Sequence, residues 1–183
     1  GANMNFHRLR HVSERSELGE GNEGIFAVSI PEKPGSFLKF INVLGKRQIT
    51  EFNYRYGDDK VAHIFVGIQT AGTQDLAKIS AELGAAGLPN TDLTNDEIAK
   101  IHIRYMVGGR THKVANERVV SFEFPERPGV LANFLSHMQT VRNITLFHYS
   151  NHGADNGSVL AGADVTHSQH VAFIGLLDNL GDV

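Results

Sequence analysis

The chain has 183 residues, 41% of them hydrophobic and 20% charged, with a formal net charge of −3 and no cysteine. Without cysteine there are no disulfides, thiolate nucleophiles or cysteine-based zinc sites, and the slight acidic excess gives no electrostatic basis for holding a phosphate backbone. No apolar run approaches the ~20 residues of a membrane span and no signal-type stretch opens the chain, so the expectation is a cytoplasmic protein that engages neither membrane nor nucleic acid.

In chain order, Phe6, Leu9, Val12 and Leu18 fall at roughly helical spacing and predict a solvated connector helix. From Ile25 to Ile30 the pattern alternates, with Phe26, Val28 and Ile30 on one face, as a strand requires. Pro31-Glu32-Lys33-Pro34-Gly35 makes a turn, after which Phe37, Leu38, Phe40, Ile41 and Leu44 recur at helical spacing until Gly45. A hairpin follows, with Thr50 to Tyr56 and Val61 to Gln69 joined through Gly57-Asp58-Asp59-Lys60. A helix carrying Leu76, Ile79 and Leu83, then a short strand from Asn90 to Leu93, complete the order βαββαβ, the ferredoxin-like unit with helices on one sheet face. Asp96 to Tyr105 reads as a helical connector, and Gly108-Gly109 with the polar residues up to Asn116 as a linker.

The pattern then repeats. Pro125-Glu126-Arg127-Pro128-Gly129 mirrors the first turn, and Ile144-Thr145-Leu146-Phe147-His148-Tyr149 mirrors Ile49-Thr50-Glu51-Phe52-Asn53-Tyr54 about 95 residues on; a period that long is a domain and not a solenoid unit. The second copy predicts strand Arg118–Phe124, helix Val130–Thr140, strands Ile144–Ser150 and Ser158–Val165, and helix Ser168–Leu180. Its fourth strand would fall beyond Val183, leaving a sheet edge of the kind that invites pairing. The expected fold class is α+β, two tandem ferredoxin-like domains. The connector occupies 1–22, the first domain 23–95, the linker 96–117 and the incomplete second domain 118–183.

The repeated turn is the strongest candidate for chemistry. It sets Gly35 after Pro34 and before Ser36, and Gly129 before Val130, each at the start of a helix whose N–H groups and dipole favour an anion such as a carboxylate. The other reading is that Pro and Gly only punctuate a strand-to-helix connection. Tyr54 and Tyr149 are equivalent, as are Phe52 and Phe147; such aromatics belong either to the core or to a pocket wall in which the tyrosine hydroxyl finds a partner. Asn53, Arg55 and His148 point to the opposite face of regular strands. The His7/His11 and His167/His170 pairs lack a third ligand at supporting spacing, so no metal site is expected. No phosphate loop, nucleophile elbow or repeated acid–base pair is present.

These strings, with Ile103-Arg104-Tyr105-Met106-Val107-Gly108-Gly109-Arg110 and Ser121-Phe122-Glu123-Phe124, give the chain a resemblance to the C-terminal regulatory region of biosynthetic threonine dehydratase (threonine ammonia-lyase) over its whole length. The resemblance implies two ACT-like domains that bind isoleucine as inhibitor and valine as activator, and that do no chemistry themselves. It also implies a parent enzyme, a tetramer using pyridoxal phosphate in its own catalytic domain, that converts threonine to 2-oxobutanoate and ammonia. The family associates the positions of Tyr54, Arg104 and Tyr149 with effector response; at Ser150 the chain departs from a common arginine. The alternative is an RNA-binding ferredoxin-like module, which would display aromatics such as Phe65 on its open sheet face.

Overall fold

The computed structural model describes residues 22–57, 59–108, 116–126, 129–138, 144–151, 153 and 155–164. The first repeat comprises β1 (Glu23–Pro31), α1 (Ser36–Leu44), β2 (Ile49–Arg55), β3 (Val61–Gln69), α2 (Thr73–Ala85) and β4 (Asn90–Asp92). The second comprises β5 (Glu117–Pro125), α4 (Val130–Met138), β6 (Ile144–Ser150) and β7 (Asn156–Asp164), with α3 (Glu97–Gly108) between the repeats. The connector expected over 96–105 thus runs on as helix to Gly108. The first predicted helix, the stretch 109–115, the last predicted helix and the end of the second copy lie outside the described residues.

The two repeats share one seven-stranded antiparallel sheet in the order β4-β1-β3-β2-β6-β7-β5. Each repeat contributes an edge strand to the seam, where β2 and β6 pair with Phe52 opposite Tyr149, Asn53 opposite His148 and Tyr54 opposite Phe147. Equivalent residues therefore exchange places across an approximate twofold axis between Asn53 and His148. Beyond the ladder, Asn151 donates its N–H to the Thr50 carbonyl at 2.8 Å, and Tyr56 donates to the Thr145 carbonyl at 2.7 Å, a matched pair at the seam's two ends.

Alternation fixes the two faces. On the inner face Phe26, Val28, Ile30, Phe52, Ile64, Val66 and Phe147 meet Phe40, Ile79, Leu83 and Leu135 from the helices in one continuous core spanning both repeats. On the outer face α3 covers Ile25 and Phe65 with Ala99 and Ile103, a smaller second core. Strands β1 and β3 are thus buried on both sides, which explains why their sequences run nearly unbroken in apolar residues.

Each repeat also carries a bulge at the start of its seam strand, between Ile49 and Glu51 in β2 and between Ile144 and Leu146 in β6. The bulged Thr50 and Thr145 lie over Gly67 and Gly162. A Cβ on Gly67 would sit 2.5 Å from the Thr50 Oγ1, and one on Gly162 would sit 3.0 Å from the Leu146 Cβ. Replacing Gly67 by alanine should therefore force the bulge outward and destabilise the protein by about 1–3 kcal/mol; a urea unfolding curve within about 0.3 kcal/mol of the parent's, the scale of a neutral change, would contradict this account.

Candidate functional site

The strand-to-helix loops place the duplicated glycines as the sequence implies but for a different reason. Gly35 has φ 87° and Gly129 φ 83°, a left-handed conformation that L side chains resist. A Cβ at either would meet nothing within 4 Å, so the turn and not close backbone approach demands glycine. Gly35 caps α1, no side chain hydrogen-bonds to the helix start, and the Ser36 N–H turns back to the Lys33 carbonyl at 3.3 Å. Pro34 and Gly35 are exposed, whereas Ser36 is buried; Gly129 is exposed and Val130 half-buried at the start of α4.

Next to each loop lies a tyrosine whose partner comes from the motif itself. Tyr54 donates its hydroxyl to both carboxylate oxygens of Glu32, at 3.0 and 2.9 Å, and Tyr149 donates to Glu126. Burial, reinforced by the neighbouring carboxylate, pushes both phenols well above their ordinary ionisation range. Glu32 and Glu126 are the second residues of the repeated turns. Their recurrence at identical spacing was the signal that could have paired them with the tyrosines. Gly157 is a third residue that sequence reasoning missed, because a Cβ there would lie 2.5 Å from Glu126 Oε1 and 2.6 Å from the Tyr149 ring.

The remaining candidates separate. Phe52 and Phe147 are fully buried and meet edge to face at 5.8 Å, with Phe37 edge-on to both Phe52 and Tyr54 and Phe134 stacked on Phe147. They form the floor that joins the two tyrosines. Arg104 is elsewhere, on the outer face: it grips Glu51 through Nε and Nη2, each at 3.1 Å, and its guanidinium lies 4.6 Å above the Phe65 ring. Phe65, on which an RNA platform would depend, is buried beneath α3 and offers no stacking surface. Asn53, Arg55 and His148 do face outward as alternation requires. Arg55 binds Glu117 of the second repeat at 2.9 Å, and burial holds the His148 imidazole below its usual range, with Glu51 opposing and Arg55 adding to the effect.

A groove of about 620 Å³ opens at the other end of α1, against α2. There Arg47 is bound to Asp75 at 2.7 Å and Glu82 at 2.9 Å, and the Asp75 carboxyl is held below the usual carboxylate range mainly by that guanidinium. These charged side chains pair with one another, and the groove lies away from Tyr54. Among the described residues no three His, Asp or Glu side chains converge on a metal-sized site; His7, His11, His167 and His170 lie outside them.

Comparison with known proteins decides the family. The family described as the C-terminal regulatory domain of threonine dehydratase matches residues 14–103 and again 108–181, one match for each repeat. The chain belongs to that family. The threonine dehydratase regulatory domain of this chain is 52% identical to the biosynthetic L-threonine dehydratase IlvA of Burkholderia multivorans, over 99% of the chain and 36% of the relative. It is 54% identical to that of Escherichia coli over 90% of the chain and 32% of the relative, and 44% identical to the mitochondrial threonine dehydratase of Saccharomyces cerevisiae over 99% and 33%. The chain spans about a third of the length of these relatives, and what it matches is the regulatory region. The duplicated tyrosine–glutamate pair of this chain thus lies in the region that the family's description assigns to regulation.

Proposed function

We propose that this chain senses isoleucine and valine for a biosynthetic threonine dehydratase, holding one amino acid at each strand-to-helix loop. The observation that carries the reading is the Tyr–Glu pair at Tyr54 beside a helix start with no side-chain cap, which recurs as a Tyr–Glu pair at Tyr149. An amino-acid effector brings a carboxylate, an ammonium and an apolar side chain. The start of α1 suits the carboxylate. Glu32 and Glu126 suit the ammonium: a carboxylate has room for several donors, and an ammonium adds the attraction of opposite full charges to the charge-assisted bond the tyrosine hydroxyl already makes. The phenylalanine floor suits the side chain, and one methylene separating isoleucine from valine is worth roughly 1–3 kcal/mol in a fitted pocket.

Because Tyr54 and Tyr149 are both 2% exposed, the ligand must part each tyrosine from its loop to enter. Binding and local rearrangement are then one event, and coupling of roughly 1–3 kcal/mol suffices for several-fold control of a distant reaction. In this reading the conversion of threonine to 2-oxobutanoate and ammonia, and the pyridoxal phosphate it uses, belong to the parent's catalytic region, outside this chain. The parent functions as a homo-oligomer.

Titration calorimetry at two temperatures tests the assignment. Isoleucine or valine should give saturable heat, and Glu32→Gln and Glu126→Gln should each weaken one of two sites at least tenfold, which is about 1.4 kcal/mol. No binding of either amino acid at millimolar concentration, or unchanged affinities in both variants, would sink it.

A further inference from the structure

Among the described residues, the helix between the repeats has two apolar sides, of which one is covered. Ala99 and Ile103 pack into the outer-face core, whereas Ile98 and Ile101, one turn apart, are 83% and 67% exposed. Val119 and Leu160, at 50% and 37% exposure, lie on the same outer face of the sheet over the second repeat, so that side of the molecule carries further apolar surface beyond the helix. Exposed apolar surface gathered on one side marks an interaction site more often than chance.

We infer that the outward side of α3, Ile98 and Ile101, is where the catalytic region of the parent dehydratase docks. The inference rests on the reading above that this chain is the regulatory part of a larger enzyme. Three observations select that occupant. The turn leading into α3 is stitched to the first residues of β1: Ile25 donates its N–H to Thr94 Oγ1 at 3.1 Å, and Leu93 donates to the Ile25 carbonyl at 2.7 Å. The exposed stripe therefore stands beside the point where the polypeptide enters the sheet. In the relatives about two thirds of the chain lies outside the C-terminal region matched here. A body tethered at that point is present at roughly millimolar effective concentration, so the contact outcompetes any partner in free solution, and the crosslink separates it from contact with another subunit of the same oligomer. Finally, α3 is already coupled to the seam, since Arg104 holds Glu51, the neighbour of Phe52 on β2. A shift of β2 that accompanies ligand entry at Tyr54 would be felt by the helix that touches the catalytic region. The carboxylates at the start of α3 are already engaged, Glu97 by Lys100 at 2.7 Å and Asp96 by the Ala99 N–H at 2.9 Å, so the surface the stripe presents is chiefly apolar.

The test uses the full-length dehydratase carrying this region, with benzoylphenylalanine placed at position 98 and, as a control on the opposite side of the sheet, at position 38. Irradiation should link position 98, and not position 38, to peptides of the catalytic region. Links only to another copy's regulatory region, only to residues 1–21, or to nothing overturn the inference. In a second measurement the Ile98→Asp, Ile101→Asp enzyme should retain isoleucine affinity by calorimetry while requiring at least tenfold more isoleucine for half-inhibition of threonine turnover. Retained affinity with unchanged inhibition also overturns it. Failure of the unsubstituted enzyme to bind isoleucine would instead sink the sensor reading, and the crosslink would still decide what covers the helix.

Discussion

Replacing Phe147 by alanine will destabilise the protein by about 3–5 kcal/mol, a large fraction of the ~5–15 kcal/mol that holds a typical domain together. Its ring is fully buried on the seam strand, edge-on to Phe52 of the other repeat and stacked on Phe134 of its own. The rings that border the cavity are themselves buried, so relaxation can recover little. For a chain of this size the loss corresponds to a fall of roughly 10 °C in melting temperature. Phe52→Ala should act alike, and the double variant should lose less than the sum by about 0.5–1.5 kcal/mol, the worth of an edge-to-face aromatic contact. Thermal unfolding followed by circular dichroism reads all three. A loss below about 0.5 kcal/mol for Phe147→Ala, which is the scale of an ordinary surface change, would mean that the repeats do not share a core.

The second large effect appears in alkali. In the unfolded chain Tyr54 and Tyr149 ionise near pH 10, whereas in the fold burial first, then Glu32 and Glu126, keep the phenols protonated well above that range. Below about pH 10 both states hold the proton and the contribution is constant. Above it only the unfolded state releases the proton, so stability should fall by about 1.4 kcal/mol per pH unit for each tyrosine. Denaturant midpoints measured from neutral to strongly alkaline pH should steepen accordingly, and Tyr54→Phe and Tyr149→Phe should each remove one share of the slope. The same dependence in both phenylalanine variants and the parent would show that neither hydroxyl is held in this way.

Much of the fold was legible because two independent signals agreed at each element. Alternation in Phe26, Val28 and Ile30 assigned β1 and also its inner face, and the second copy confirmed the first wherever local patterning was weak. The placement of α3 was not legible. Its sequence shows a helix, but nothing in Ala99 or Ile103 says that they will cover Phe65 on the outer face, because that depends on which strands lie beneath. The site was half legible. Pro34, Gly35, Tyr54 and their counterparts announced themselves by recurrence, while the link from Tyr54 to Glu32 needed the strand pairing that brings residues 22 positions apart into contact. Arg104 shows the limit from the other side: family likeness groups it with the tyrosines, but the sheet stands between them and its carboxylate is Glu51.

The seam that exchanges Tyr54 with Phe147 and Phe52 with Tyr149 has the geometry of a symmetric dimer whose two partners happen to be covalently joined. Joined copies are free to drift apart one residue at a time, whereas identical subunits must change both copies at once. The drift is visible where Ala62 of one half answers to Gly157 of the other and Tyr56 to Asn151. Tethering thus lets two copies of one unit become unlike neighbours while still leaning on a common wall.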